Sequence, residues 1–487
     1  MRFPNEPSRR HLAAWLAAGA ASSLMPGAAR AASGAEPPLA DRLAAYAHRL
    51  RFEDLDPSTV EAVKVHLLDA LGCGLAALDA GPVRICREVA LADGTGSATL
   101  LGFRQRTSPD LAAFANGVAI RYEDFNDVYV GREPGHPSDN IAACLAVAEA
   151  EGATGRDLIT AIALAYEIDC RLLDAAEVTG RGWDHPVYSL PAAALAAGKL
   201  MRLPPDALTQ AVNLAINGHI ALNQTRVQTL SDWKGVADAE ATRAGVFAAK
   251  LARAGLTGPA PIFEGRAGFF QQVSGPFTVD VEDFGGSGRP FRITRCGIKP
   301  YPAQVYCLTT IPAAIAVAAE AGDLATIRAL HIDTTHLGYV TAGRDREKWR
   351  PTTKDTADHS LPYITARTLL DGAITNDSYA PDKLRDPALL TLIDRITVAE
   401  DPALTALQPK AVPNRITAKL TDGREIVRQV DDVPGFVARP MTRDDVARKF
   451  RMNAKRRLDE PGIARALGAF WALEERRDLT DLMALLA

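Results

Sequence analysis

The stretch RYEDFNDVYVGREPGHPS, Arg121 to Ser138, decides how the rest of the chain is read. It crowds Glu123, Asp124, Asn126 and Asp127 around Phe125, then runs through Gly131, Pro134 and Gly135 to His136. The apolar spacing from Asp110 to Ile120 predicts a helix before it. Ser138-Asp139-Asn140 can cap a second, Ala-rich helix that starts near Ile141. Acids and a histidine on irregular backbone between two stiff helices suit proton transfer, which needs ionisable groups held by a rigid frame. Taken alone, the same residues would serve as a solvated loop that uses Asp and Asn as turn residues.

Helical patterns extend in both directions. Leu39 to Leu50 reads as a helix, and Asp56-Pro57 opens a longer one, with Asp as N-cap and Pro at the first helical position. That second helix, VEAVKVHLLDALGCGLAAL, is apolar almost all round and is expected to be buried. Ser97 to Phe103 reads as a short strand. Gly94-Thr95-Gly96 lacks the third glycine and the following helix that a phosphate loop needs. Thr154-Gly155-Arg156-Asp157 is a capping-box pattern opening a helix to about Leu173. Further helices are predicted for Leu190 to Met201, Pro205 to Ile216 and Ala237 to Ala254. The breaks between them carry His185 and Lys234.

Composition changes at Gly285-Gly286-Ser287-Gly288-Arg289-Pro290, which reads as a linker. Beyond it, Phe291 to Arg295 and Ile327 to Thr334 read as strands with a helix, Ile311 to Ala321, between them. Ser360 to Leu370 reads as helix and Arg395 to Val398 as strand. Arg415 to Leu420 and Glu425 to Val430 read as a hairpin closed at Thr421-Asp422-Gly423. The expected fold is mainly α with an α+β second domain. An all-helical domain covers residues 38–285 and a smaller α/β lid covers 290–435. Helices over 440–487 return to the first domain.

At 487 residues the chain exceeds one ordinary core. A net charge of -4 without a basic patch argues against a nucleic-acid partner. Arg9-Arg10 stands ahead of the apolar run Ala13 to Leu24, and Ala29-Arg30-Ala31 follows it. Together they form a twin-arginine export signal over residues 1–31, which predicts cleavage near Ala31 and a periplasmic protein. No later apolar run approaches the length of a membrane span, so no membrane contact is expected after cleavage. Cys73, Cys86, Cys144, Cys170, Cys296 and Cys307 form no C-x-x-C pair. They read as small buried hydrophobes and give no zinc or iron–sulfur signature.

The polar residues at breaks of the helical part are Asp124, Asp127, His136, His185 and Lys234. Lys299 in CGIKPYP joins them just past the linker. Any one of them alone is an ordinary surface or turn residue. Two histidines, carboxylates and two lysines together suit an anionic substrate that loses a proton. Removing hydrogen from a carbon next to a carboxylate needs a base near ambient pH, and histidine is the usual choice. Cations on the substrate carboxylates then offset the charge that builds on that carbon. Neither Asp124 nor Asp127 has recognised metal-ligand spacing, so metal-free chemistry is expected. A paired-carboxylate glycosidase would leave the basic residues without a role.

At these residues the chain resembles the MmgE/PrpD family, from about Leu39 onward. The likeness is carried by Ala115-Asn116-Gly117, Asp124-Phe125-Asn126-Asp127, His136-Pro137-Ser138 and His185-Pro186. Lys234 before an Ala-rich helix, Thr257-Gly258-Pro259, Glu264-Gly265, Lys299-Pro300-Tyr301-Pro302 and Ser360-Leu361-Pro362-Tyr363 extend it. The resemblance implies a homodimer, no cofactor, and a site between a helical domain and an α/β lid. It puts Asp124, His136, His185, Lys234 and Lys299 in catalytic positions, with Arg121, Asp127, Tyr301 and Gln304 expected against substrate. The family's acidic run is usually D-F-D-D-T, where this chain has Asn126 and Val128, and decarboxylases carry a histidine where it has Gln304. The expected activity is a cofactor-independent lyase on a small di- or tricarboxylate, with dehydration of a hydroxy acid foremost. A decarboxylase, an epimerase or racemase using His136 and His185 as two bases, and a non-catalytic periplasmic carboxylate binder are the alternatives.

Overall fold

Asp56 accepts the Thr59 N–H at 3.0 Å, and Pro57 occupies the first turn. These two residues start the central helix. The computed structural model describes residues 36–92 and 95–487, so the export signal read in residues 1–31 lies outside it. Helices of more than ten residues are numbered from α1 (Leu39–Arg49) and α2 (Pro57–Ala77). Every residue of α2 from His66 to Leu75 is buried, as its all-round apolar pattern predicts. Helix α3 (Gly81–Ala92) has no counterpart in the sequence reading. Only Val83 and Ala90 of it are buried while Ile85 and Val89 face outward, so its apolar residues do not trace one stripe. The strand expected over Ser97 to Phe103 shrinks to β1 (Ala98–Thr99), paired with β2 (Arg106–Thr107). Gly102, at φ +77°, turns the chain away from the pairing.

Helix α4 (Pro109–Tyr122) leads into the decisive stretch. That stretch is a small hairpin rather than an irregular loop: β3 (Asp127–Val130) pairs antiparallel with β4 (Pro134–Gly135). Helices α5 (Asp139–Ala150), α6 (Gly155–Ala175), α7 (Pro186–Leu200), α8 (Pro205–Asn217) and α9 (Ala237–Arg253) follow. The Thr154–Asp157 capping box forms at the start of α6. Helices α4 and α9 cross closely because Gly117 has no side chain; a Cβ there would lie 2.9 Å from the Ala239 methyl.

The glycine-rich run is fastened rather than free. Glu167, buried in α6, accepts the Gly285 N–H at 2.9 Å and the Arg292 N–H at 2.6 Å. That second bond explains why Phe291 to Arg295 is not the expected strand. Phe291 and Ile293 alternate inward as a strand would, yet the Arg292 donor is taken by Glu167 and Arg292–Arg295 closes into a 3₁₀ turn. Strand β5 (Gly297–Ile298) then pairs with β3, in the register Asp127↔Ile298 and Val128↔Gly297.

Past β5 the apolar residues gather in a second core around a four-stranded sheet. Helix α10 (Thr310–Ala321) precedes β6 (Ile327–Thr334), and α11 (Leu361–Asp371) precedes β7 (Ile396–Glu400). β8 (Asn414–Leu420) and β9 (Glu425–Val430) form the expected hairpin, with Gly423 at φ +90°. The order is β7-β6-β8-β9, with β6 and β7 parallel and the other pairs antiparallel. Helices α12 (Arg443–Ala454) and α13 (Glu460–Trp471) bring Val446, Phe450, Ile463 and Phe470 back to the first core. The molecule is mainly α with an α+β portion.

One side chain of α12 braces the site's backbone. Lys449 Nζ donates to the carbonyls of Phe125 at 2.7 Å and Lys299 at 2.9 Å, and lies 2.7 Å from Asp69 Oδ1. Lys449→Met strands a buried Asp69 and two carbonyls, so it should lower stability by about 3–5 kcal/mol, read as a shifted urea midpoint. A shift under about 1 kcal/mol would contradict this bracing role.

Candidate active site

Helix α4 ends at Tyr122, and Asp124 follows in the left-handed region at φ +50°, a conformation Asp tolerates better than most residues. The turn points its carboxylate inward, where it is 1% exposed. Three cations meet it: Arg121 through a short bond to Oδ1, Lys299 Nζ at 3.0 Å and Lys234 Nζ at 3.5 Å. Burial alone would raise the Asp124 pKa, but Lys234, Lys299 and Arg121 outweigh it and hold the carboxyl well below its usual range. Among the described residues, its Oδ2 has no hydrogen-bond partner.

A cavity of about 310 Å³ opens beside Asp124. Arg121, Asp124, His136, His185, Lys299 and Gln304 line it, so the structure brings these predicted residues together. Val128, Val305, Leu337 and Val340 supply an apolar side. Three predicted residues stand apart from its lining. Lys234 is fully buried behind Asp124, between that residue and Asp358 Oδ2 at 3.8 Å. Asp127 turns away from the cavity and accepts from Tyr166 OH at 2.7 Å and the Ser138 N–H at 3.1 Å, with His66 Nδ1 2.9 Å away. Tyr301 packs against the second core. The alternation of β3 explains Asp127: its neighbour Val128 takes the cavity side.

His136 and His185 face the same cavity with rings 5.5 Å apart, yet in opposite states. His136 Nδ1 donates to the Asp127 carbonyl at 2.6 Å, which fixes the tautomer and leaves Nε2 as an acceptor. Burial, followed by the charges of Arg121 and Lys299, pushes its pKa well below the usual imidazole range. His185 sits at the N-cap of α7, 3.1 Å from Asp184 Oδ1 and 2.8 Å from Asp238 Oδ1. Burial works against its charge, but Asp184 and Asp238 outweigh it and lift its pKa to about 10. The Asp238 contact lacks hydrogen-bond alignment, so that ring nitrogen is not committed to the carboxylate. Lys299 is lowered to about 8, by burial first, with Asp124 opposing and Arg121 and Lys234 adding to the fall.

The sequence reading passed over residues that set these states. Arg226 donates to both Asp184 oxygens, at 3.1 and 2.9 Å, and to Asp238 Oδ2 at 2.9 Å. His359, 7% exposed, lines the cavity from the second core, with Nδ1 on Asp358 Oδ1. The available signals were the adjacent pairs Asp184-His185 and Asp358-His359; nothing local marks Arg226 or Asp238. The donor atoms of Asp124, Asp358 and His359, and of Asp139, His185 and Asp238, cluster within 4.8 Å. In both clusters Lys234, Lys299, Arg121 or Arg226 already supplies the positive charge a metal would bring.

A histidine held neutral and one held charged, beside a buried lysine, form an arrangement that can move protons. Residues 41–282 match the MmgE/PrpD N-terminal domain and residues 301–473 the MmgE/PrpD C-terminal domain, so the chain belongs to the MmgE/PrpD family. It is 27% identical over 466 residues to the cis-aconitate decarboxylase-like protein oryM of Aspergillus oryzae, covering 90% of this chain and 95% of the relative. It is 28% identical over 450 residues to the 2-methylcitrate dehydratase of Cupriavidus necator, covering 84% and 88%. With the cis-aconitate decarboxylase of Homo sapiens it shares 25% over 463 residues, covering 92% and 94%. Dehydratases and decarboxylases of this kind are lyases.

The His185 assignment has a consequence for stability. Its pKa is about 10 when folded and about 6.5 when unfolded, so the stability it contributes is complete below pH 6.5 and is lost as pH rises through 10. His185→Gln should therefore melt at a temperature that varies less between pH 7 and 10 than wild type. Parallel melting curves across that range would place His185 in its neutral form.

Proposed function

We propose that this protein is a cofactor-independent lyase that dehydrates a small hydroxy di- or tricarboxylate, with 2-methylcitrate and citrate as the first acids to test. The observation that carries the reading is the pair His136 and His185, 5.5 Å apart in one cavity and held in opposite protonation states. His136 Nε2 takes the proton from the carbon next to a carboxylate. The electron pair of that C–H bond forms the alkene as the C–O bond breaks, and His185 protonates the departing hydroxyl, so water leaves. Lys299 pairs with a substrate carboxylate and offsets the charge that builds on the carbon. Asp124 Oδ2, buried without a partner among the described residues, suits a substrate hydroxyl as donor. A cavity of about 310 Å³ accommodates an acid of this size but not an oligosaccharide.

Lys234 enters this scheme indirectly. It is fully buried and does not line the cavity, so it holds Asp124 in place instead of clamping substrate.

Alkene formation from 2-methylcitrate or citrate, followed in the ultraviolet, tests the reading. His136→Ala should cut kcat by about 10²- to 10⁴-fold. Lys299→Met should weaken substrate binding roughly ten- to hundredfold, the worth of one charged pairing. Wild-type activity should fall as pH rises past about 8, where Lys299 loses its proton, and Lys299→Arg should remove that alkaline fall. Undiminished turnover in His136→Ala, or carbon dioxide release without dehydration, would defeat the scheme as written.

A further inference from the structure

His359 meets the cavity from the second core, whereas His136 and His185 belong to elements of the first. Its surroundings are built for one state. Nδ1 is held by Asp358, the residue before it, and Asp358 is fixed in turn by Lys354 Nζ at 3.0 Å and Lys234 Nζ at 3.8 Å. The Gln304 N–H donates to the Asp358 carbonyl at 2.9 Å, tying the pair to the segment that follows Lys299. Ser360, next in sequence, N-caps α11 through the Tyr363 N–H, so a helix start holds the pair in place. With Nδ1–H on a carboxylate, Nε2 is left with its lone pair on the cavity side.

We propose that the Asp358–His359 pair is a second proton-transfer device of this cavity, with His359 Nε2 as a catalytic proton acceptor and Asp358 as its positioning residue. This rests on the lyase reading above. In the step, a substrate C–H bond turned toward the second-core wall, rather than toward His136, breaks, and its electron pair forms the alkene as the C–O bond breaks and the hydroxyl leaves protonated by His185. An N–H bond forms at Nε2, while Nδ1–H stays with Asp358, whose charge offsets the new imidazolium. Burial, followed by the charge of Lys234, holds the resting ring neutral, with a pKa near 3 that Asp358 only partly counters. A bound polycarboxylate brings negative charge to the same wall and raises that proton affinity.

The test uses the full chain with 2-methylcitrate, citrate and cis-aconitate. On at least one of the three acids His359→Gln should lose at least a hundredfold in kcat, while it binds tricarballylate within threefold of wild type. Asp358→Asn should lose less and should shift the pH–rate profile, a change that a purely structural role would not produce. A His359→Gln enzyme with wild-type kcat overturns the proposal and leaves the lyase reading intact. If wild type turns over none of the three acids, or His359→Gln does not fold, diethyl pyrocarbonate decides on the wild-type chain. The reagent should carbethoxylate His359, located by peptide mass spectrometry, and tricarballylate should slow it at least fivefold. A His359 that stays unmodified, or whose rate tricarballylate leaves unchanged, overturns the proposal.

Discussion

A carboxylate that is 1% exposed cannot stay ionised without compensation, and Asp124 is compensated three times. Arg121 comes from the end of α4, Lys234 from the turn before α9, and Lys299 from the segment after β5. Those positions are far apart in sequence, so a single charge fixes where three parts of the chain converge. Removing one cation would leave the carboxylate less well compensated in a dry place; removing the carboxylate would leave three cations facing one another. The surrounding apolar core makes either imbalance expensive, because low polarity strengthens unpaired charge as much as paired charge. The cavity lies beside this cluster and takes its character from it.

The backbone around the cluster is held as firmly as the charges. β3 pairs with β4 on one side and β5 on the other, so the strand between Asp124 and His136 is joined directly to the one that leads to Lys299. Lys449 then fastens the carbonyls of Phe125 and Lys299 from a third direction. Asp127 contributes through both its ends: its carbonyl sets the His136 tautomer, and its side chain is locked by Tyr166 and the Ser138 N–H. A residue expected at the substrate thus acts one step behind it. Lys234 shares that position, which places two predicted site residues in the support of the cavity rather than on its surface.

How much of this was legible in the sequence follows from how local each signal is. Helix starts at Asp56 and Thr154 depend on residues three apart, and both form as the pattern predicts. The buried all-round character of α2 is likewise a local property. The strand expected at Phe291 to Arg295 failed because one buried acid from α6 captured the Arg292 donor, and no window around Arg292 contains Glu167. The site divides in the same way. His136, His185, Asp124 and Lys299 stand out because each interrupts a periodic pattern, yet the charge on each histidine is decided in part by residues distant in sequence. Beside its neighbour Asp184, His185 takes its state from Asp238 on α9, and Arg226 holds both carboxylates; neither Asp238 nor Arg226 carries any local mark. A reading that treated His136 and His185 as an equivalent pair could not have separated them.

Under the proposed function, that separation bears on how the lyase would work on an anionic substrate. The cations that keep His136 neutral, Arg121 and Lys299, stand beside the cavity. Arg121 is already committed to Asp124 and approaches Asp238, whereas Lys299 retains the weaker hold on its proton that burial imposes. A substrate carboxylate pairing with Lys299 therefore has two effects at once. It restores the charge of Lys299 by favouring the protonated amine, and it cancels part of the positive field that suppresses proton uptake at His136. The base is weak while the cavity is empty and strengthens when the anion arrives. His185 responds less, because Asp184 and Asp238 stand against both its ring nitrogens, Arg226 holds those carboxylates, and their fields dominate. The acid and the base are thus tuned by different partners, and the substrate's own charge acts chiefly on the one that must change.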